Sequence, residues 1–185
     1  GTSGDDVAVI LGNASGVTVD GGGNVYAPDF TASVIRRWQP GSFQIISISN
    51  NFSGSVVQPV SVAADASGNL FIVDVNNNAL EKWSAVSGSL TVLTSLASGV
   101  QPFEQIGVDA PGNVYLANRA DNTVGKWTAA SESYGPLITN LNSPEGVAVD
   151  AAGNVYVAET GNNRILKWNA ANSNLTTVVT GLNQP

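Results

Sequence analysis

The sequence contains no cysteine, no histidine and no methionine. Without Cys there is no disulfide framework, no thiolate zinc site and no thiol nucleophile. Without His the commonest general base and the commonest metal ligand are missing, and the usual serine triad cannot form. Neither a G-x-S-x-G elbow nor a D-x-D-x-D-G calcium loop occurs. Charge is also scarce. Asp, Glu, Lys and Arg make up 11% of the chain, where about 25% is usual. The few Lys and Arg are scattered and outnumbered by acids, giving a net charge of −7. A phosphate backbone calls for clustered bases, so no nucleic-acid partner is expected, and anionic membranes are disfavoured likewise. No apolar run reaches membrane-spanning length, so no membrane insertion is expected. The chain opens on Gly1 and not on Met, and is read as a processed or excised product without a signal peptide.

What is present favours strands. The 185 residues suffice for one domain with a core. Hydrophobic residues reach 43%, and Gly, Asn, Ser, Thr and Val fill the space that charge leaves. That mixture suits turns and strands, and few stretches carry the Ala, Leu, Glu and Lys of a surface helix. Low charge, Asn, Ser and Thr richness and the lack of Cys point to an extracellular, cell-surface or periplasmic protein. Sequons at Asn13, Asn51 and Asn174 are no more than this composition supplies by chance.

A repeat dominates the chain. "DGGGNVYAPDFTASVIRRW" spans Asp20 to Trp38, and "DASGNLFIVDVNNNALEKW" spans Asp65 to Trp83. "DAPGNVYLANRADNTVGKW" spans Asp109 to Trp127, and "DAAGNVYVAETGNNRILKW" spans Asp150 to Trp168. Each runs from Asp to Trp without a gap, and all variation in spacing falls after the Trp. Asp-x-x-Gly-Asn is a tight reversal in which Asp bonds the backbone ahead and Gly takes a positive φ. A short apolar run, an Asn-rich loop and a second short run follow, which is an antiparallel meander. Adding a strand before each Asp and another after each Trp gives four strands per repeat, the content of one propeller blade. Val155, Tyr156, Val157 and Ala158 do not alternate with polar residues, as expected of a sheet covered on both faces. The four Trp and the aromatics Tyr26, Phe71, Tyr115 and Tyr156 are then expected to pack between blades.

These motifs resemble the NHL-repeat β-propellers. "PEGVAVDAAGNVYVAETGNNRILKW", Pro144 to Trp168, follows the family pattern from end to end, and the likeness covers nearly the whole chain. The first copy departs from it with Pro28, Ala32 and Ser33, and the third with Asn118 in place of an acid. The expected fold is all-β, a propeller of four-stranded blades at about 14–57, 58–101, 102–142 and 143–185, with residues 5–11 an extra outer strand. Family rings usually hold six blades. A surplus outer strand and a C-terminal "TGLNQP", like the "TNLNSP" leading into the fourth repeat, therefore imply part of a larger ring or an assembling arc. An open arc would expose a face meant to be covered, so a homo-oligomer or the remainder of a longer chain is expected.

The resemblance also directs attention to the face formed by the loops after the second strands, where related propellers hold ligands. The aligned positions there are Asp29, Asp74, Asn118 and Glu159. The acids are either a ring around a central pocket, with Arg164 beside it, or caps bonded to loop backbone. Repetition favours caps, since an asymmetric reaction needs its residue once. Residues that do not repeat are the stronger candidates: Glu145 and Glu104 at the heads of first strands, Arg119 in the third repeat and Arg164 in the fourth. Arg36 and Arg37, in the third strand of the first repeat, are expected at an outer edge. The candidate ligand or partner face is therefore Glu104, Arg119, Glu145, Glu159, Arg164, Asp29 and Asp74.

Enzymes with this type of repeat, the peptide-amidating and streptogramin lyases, are described as relying on His and a bound divalent metal. No His is available here, so neither mechanism transfers. An acid pair such as Glu145 and Glu159 is the remaining acid–base option. The expectation is a chain that is not an enzyme and has no catalytic or metal site and no cofactor, with an oxygen-only Ca²⁺ site the one metal option its composition allows. It would be a binding or assembly module engaging a protein or a glycan outside the cell. Two alternatives stand beside it: a segment of a propeller lyase or hydrolase with its catalytic residues in further blades, and a structural subunit of a self-assembled ring or filament.

Overall fold

A computed structural model describes residues 14–41, 45–48, 58–96 and 105–185. Glu104, the stretch 5–11 and the sequons at Asn13 and Asn51 lie outside the described residues. Among the described residues sixteen strands form four antiparallel sheets, each an uncrossed meander of four. Blade one is β1 (Thr18–Val19), β2 (Val25–Asp29), β3 (Val34–Trp38) and β4 (Ile45–Ile48). Blade two is β5 (Pro59–Ala64), β6 (Leu70–Asp74), β7 (Ala79–Trp83) and β8 (Leu90–Ser95). Blade three is β9 (Ile106–Val108), β10 (Val114–Asn118), β11 (Thr123–Thr128) and β12 (Ser133–Ile138). Blade four is β13 (Pro144–Val149), β14 (Val155–Glu159), β15 (Arg164–Trp168) and β16 (Leu175–Thr180).

The constant Asp-to-Trp frame has a hydrogen-bonding cause. Asp20, Asp65, Asp109 and Asp150 each accept, through Oδ1, the backbone N–H of the Asn four residues on, at 2.8–2.9 Å. Their Oδ2 atoms accept that Asn's side-chain amide at 2.7–2.9 Å. The Gly before each Asn sits at φ between 77° and 87°, a region that penalises any Cβ. The carboxamide oxygens of Asn69, Asn113 and Asn154 then accept N–H bonds from Ala85, Ala129 and Ala170, just past the Trp. One Asp–Asn pair thereby ties the first hairpin turn to the start of the last. An insertion between the Asp and its Asn would break that tie.

The apolar runs of β6 and β10 are buried along their whole length, because both faces of the sheet are covered. Three core clusters lie between consecutive blades. Tyr26 and Ile35 of blade one meet Val62, Leu70 and Ile72 of blade two. Phe71, Val73 and Leu80 of blade two meet Ile106, Val114, Leu116 and Trp127 of blade three. Tyr115, Ala117, Val124 and Ile138 of blade three meet Val147, Val155, Val157 and Leu166 of blade four. Each blade thus has a leading face toward its predecessor and a trailing face toward its successor. Each fully buried Val, Leu or Ile contributes about 1.5–3 kcal/mol, so the three interfaces dominate stability.

Two expectations about single residues are corrected. The Trp residues do not all sit between blades: Trp127 is 6% exposed but Trp38 is 41% exposed. Trp38 belongs to the leading face of blade one, which no preceding blade covers among the described residues. Nor does Arg36 sit at an outer edge. It is half-buried, and its Nε and Nη2 both lie 3.2 Å from Asp29 Oδ2. Arg36 pairs in register with Ala27, two residues from Asp29 on the same face.

Candidate functional site

The second strand of every blade ends in a turn with one left-handed residue: Ser33, Asn78, Asn122 and Asn163, at φ 46–56°. Asn tolerates this region best among residues with a Cβ. Inside these turns lie Asp29, Asp74, Asn118 and Glu159, all buried. Asp29 accepts the N–H of Ala32 at 3.0 Å. Asp74 accepts those of Asn76 and Asn77 at 3.0 and 3.1 Å, with the Asn77 amide on its other oxygen. Asn118 holds Asp121 through both its side-chain atoms. Glu159 reaches farther and accepts the N–H of Asn142, in the connection from blade three, at 2.9 Å.

The charge at this position is met differently in each blade. Arg36 faces Asp29 in blade one, and the amide of Asn118 removes the charge in blade three. In blade four Arg164 Nε donates to Glu159 Oε2. Burial raises the Glu159 pKa, but Arg164, Asn162 and the Asn142 N–H outweigh it and hold the carboxyl below its ordinary value. Blade two places a second acid, Glu81, where blade one has Arg36. Burial and the Asp74 charge push Glu81 up to about 7, against a lowering bond from Asn77. Its Oε2 is buried without a hydrogen-bond partner. Glu81 is absent from the sequence-level candidates. Reading down its column, Arg36, Glu81, Gly125 and Leu166, shows the least regular position of the frame and was the available signal.

A cavity of about 580 Å³ opens on the same end of the molecule. Ser15, Val60, Gln105 and Glu145 line it from the heads of the first strands of the four blades. Phe30, Ala158 and Pro185 complete an apolar wall. Ser15 Oγ donates to Val60 O, and Gln105 N donates to Glu145 O at 3.3 Å, so inner strands of neighbouring blades are tied to each other at the cavity. At the rim Arg119 Nη1 lies 2.7 Å from Glu145 Oε1, joining blade three to blade four.

The sequence-derived candidates therefore divide. Glu145 lines the cavity and Arg119 pairs with it. Asp29, Asp74, Glu159 and Arg164 lie in the turns beside the cavity and are not among its lining residues. Sequence reasoning missed Phe30, Gln105 and Pro185. Gln105 follows the aligned Glu104 by one residue, and a bulge between Pro144 and Gly146 disturbs the equivalent strand head in blade four. Among the described residues no three acids converge into a metal-holding cluster, so no Ca²⁺ site is assigned. Among those residues no helix is long and apolar enough to cross a membrane.

Several known structures share this architecture. A streptogramin B lyase structure matches over 93% of this chain and 56% of its own, at 16% identity and TM-score 0.74. A catalytically inactive variant of virginiamycin B lyase from Staphylococcus aureus with quinupristin matches over 97% and 60%, at 14% identity and TM-score 0.74. A nidogen/laminin complex structure matches over 93% and 65%, at 19% identity and TM-score 0.74. The chain thus spans between 56% and 65% of these structures. No curated protein sequence matches it. The likeness corrects the expectation that the chain is not an enzyme. Its fold is one that lyases also have. Residues 141–168 match the NHL repeat family model. The fourth blade thus matches an NHL repeat, and the same frame and meander recur in all four blades of this β-propeller.

Proposed function

We propose that the chain is a recognition module that binds another protein through the cavity at the heads of its first strands. One observation carries this reading. The four blades share a frame, yet the strand heads that line the cavity present four different side chains, Ser15, Val60, Glu145 and, one position out of register, Gln105. A structural role would be served by the same residue four times. A volume of about 580 Å³ suits a loop or a few side chains of a partner. An apolar wall with a few fixed polar groups is the usual composition of such a site. A protein fits better than a glycan, because Phe30 is the one aromatic ring among the lining residues. A place outside the cytoplasm is part of the proposal, supported by the low charge of the chain and by its likeness to the nidogen/laminin structure.

The test uses cyclic peptides selected against the chain from a display library, with amide shifts mapped by NMR. Binders that shift Gln105, Gly146 and Ala158 and lose tenfold or more in Glu145→Lys support the reading. Binders that map elsewhere and ignore Glu145→Lys overturn it.

The lyase likeness favours a second reading, in which the chain is a segment of a propeller enzyme. Quinupristin is a direct probe of it. Conversion of quinupristin, followed by mass spectrometry, would select this reading over recognition alone.

A further inference from the structure

We infer that the junction between blades one and two is a proton-operated latch, closed while Glu81 of β7 keeps its proton and loosened when that proton passes to solvent. Glu81 is not among the residues that line the cavity, so the latch is independent of the proposed function.

Register places the carboxyl in the junction. Glu81 pairs with Ile72, and paired residues of neighbouring strands share a face. Ile72 belongs to the apolar layer that meets Tyr26 and Ile35 of blade one. Asp74 lies two residues beyond Ile72 on that same face. Two acids, 2% and 0% exposed, therefore share one junction. The turn satisfies Asp74, which accepts from the Asn76 and Asn77 backbone and from the Asn77 amide. Glu81 Oε2 has no hydrogen-bond partner. A carboxylate ionised in such a place draws in water or takes up a proton.

No cation stands in for the proton. Asp74 adds like charge and, after burial, is what pushes Glu81 up to about 7. The strands β4, β5 and β8 contribute no titratable group. Blade one contributes Tyr26 and Arg37. Tyr26 is pushed up to about 12, chiefly by burial, and stays neutral. Arg37 acts on Tyr26 and is not among the groups that act on Glu81. Its Nε is buried without a partner, as is Nε1 of Trp83 on the facing side. Three unpartnered polar atoms thus gather at one junction, against Trp127 Nε1 alone elsewhere among the described residues. At the strand position of Glu81, blade three has Gly125, its Cβ space filled by Tyr134, and blade four has Leu166. Neither changes charge between pH 5 and 8. Blades pack only against their neighbours, so one junction can open while the others hold.

The chain has no cysteine, so a single engineered thiol reports one junction. Val62 and Val147 hold equivalent places, opposite Ile72 and Val157, and are 6% and 8% exposed. Val62 faces blade one and Val147 faces blade three. Iodoacetamide labelling of Val62→Cys and Val147→Cys carries the same intrinsic pH dependence, so the ratio of the two rates isolates the first junction. A carboxyl that titrates near 7 when closed and near 4.5 when open should raise that ratio about tenfold or more between pH 5.5 and 8. Adding Glu81→Gln to both should keep the ratio constant. A constant ratio with Glu81 present, or a rise that survives Glu81→Gln, would overturn the latch. So would a ratio that falls, which would mean that ionised Glu81 recruits Arg37 and tightens the junction. Should Val62→Cys open the junction by itself, amide hydrogen exchange of the wild-type chain, corrected for intrinsic rates, decides. Ile35 and Ile72 should lose protection toward pH 8 while Val124 and Val157 keep theirs, and equal loss at all four would overturn the latch.

Discussion

Arg119 Nη1 of blade three lies 2.7 Å from Glu145 Oε1 of blade four, at the rim of the central cavity. Both side chains remain substantially exposed, and the residues are far apart in sequence. An exposed pair contributes about 0–1 kcal/mol. Arg119→Ala should therefore move the urea midpoint of unfolding very little. Its effect should appear at the cavity, by freeing Glu145 to turn inward and raising its negative potential. Loss of more than about 2 kcal/mol in the variant would mean the pair carries the blade junction, contrary to the exposed-pair range.

Arg164 and Glu159 behave in the opposite way. Glu159 is buried, and its carboxyl accepts from both Arg164 and the Asn142 N–H. Removing one partner of such a pair leaves a buried charge uncompensated, at a cost of about 3–5 kcal/mol, less where water reaches the site. Arg164 is partly exposed, so Arg164→Ala should cost about 2–3 kcal/mol. The double variant Arg164→Ala, Glu159→Gln should recover part of that loss, since the amide still accepts from Asn142 and carries no charge. Denaturant unfolding of the two variants decides it. Equal stability of the single and double variants would mean that the Glu159 charge costs nothing in the folded state.

These two pairs show what a reader of the sequence can and cannot see. The Asp-to-Trp frame was legible because its cause is local: a side chain bonding a backbone four residues on leaves a fixed spacing. The four-bladed meander follows from that spacing and from the apolar runs. Arg164 looked like a free, unrepeated cation because alignment compares it with Val34, Ala79 and Thr123, while its partner sits directly opposite in the hairpin register. Glu145 and Arg119 were each flagged for not repeating, but their contact crosses a blade junction that no local pattern encodes. Glu81 is not among the candidates: its column is irregular in sequence, but only packing between blades buries it.

The frame itself makes a graded prediction. In blade three Asp109 accepts the Asn113 N–H, the Asn113 amide and the Tyr115 hydroxyl, at 2.8, 2.8 and 2.9 Å. Blade two has Phe71 in place of the Tyr, so Asp65 has no such hydroxyl to accept. Bonds to an ionised acceptor are worth about 1.5–3 kcal/mol each in favourable settings, less when exposed. Asp109→Ala should therefore destabilise by roughly 1 kcal/mol more than Asp65→Ala. Making Asp109→Ala in a Tyr115→Phe background should remove that difference, which calorimetric melting of Asp65→Ala, Asp109→Ala, Tyr115→Phe and the double variant would show. A larger loss in Asp65→Ala would indicate that the backbone turn, and not the hydroxyl, sets the cost.

Glu81 gives the chain a pH dependence. The carboxyl is pushed up to about 7 from an ordinary 4.5, first by burial and then by the charge of Asp74. Blade one contributes Tyr26 and Arg37 to the same interblade face, paired with each other in register. Between pH 4.5 and about 7 the native state keeps the Glu81 proton that the unfolded chain releases. The native state therefore binds more protons, and this contribution to stability is fully present below 4.5 and lost as pH rises toward 7. Glu159 acts in the other direction: its depressed pKa gives stability that is lost as pH falls below the ordinary carboxylate range. The melting temperature should peak in mildly acidic solution and decline toward neutrality. Glu81→Gln removes the proton exchange while keeping shape and hydrogen-bonding capacity. It should raise stability at pH 8 by about 1–2 kcal/mol and change it little at pH 5. If the variant keeps the wild-type decline between pH 5 and 8, another group carries the dependence and Glu81 is already neutral throughout that range.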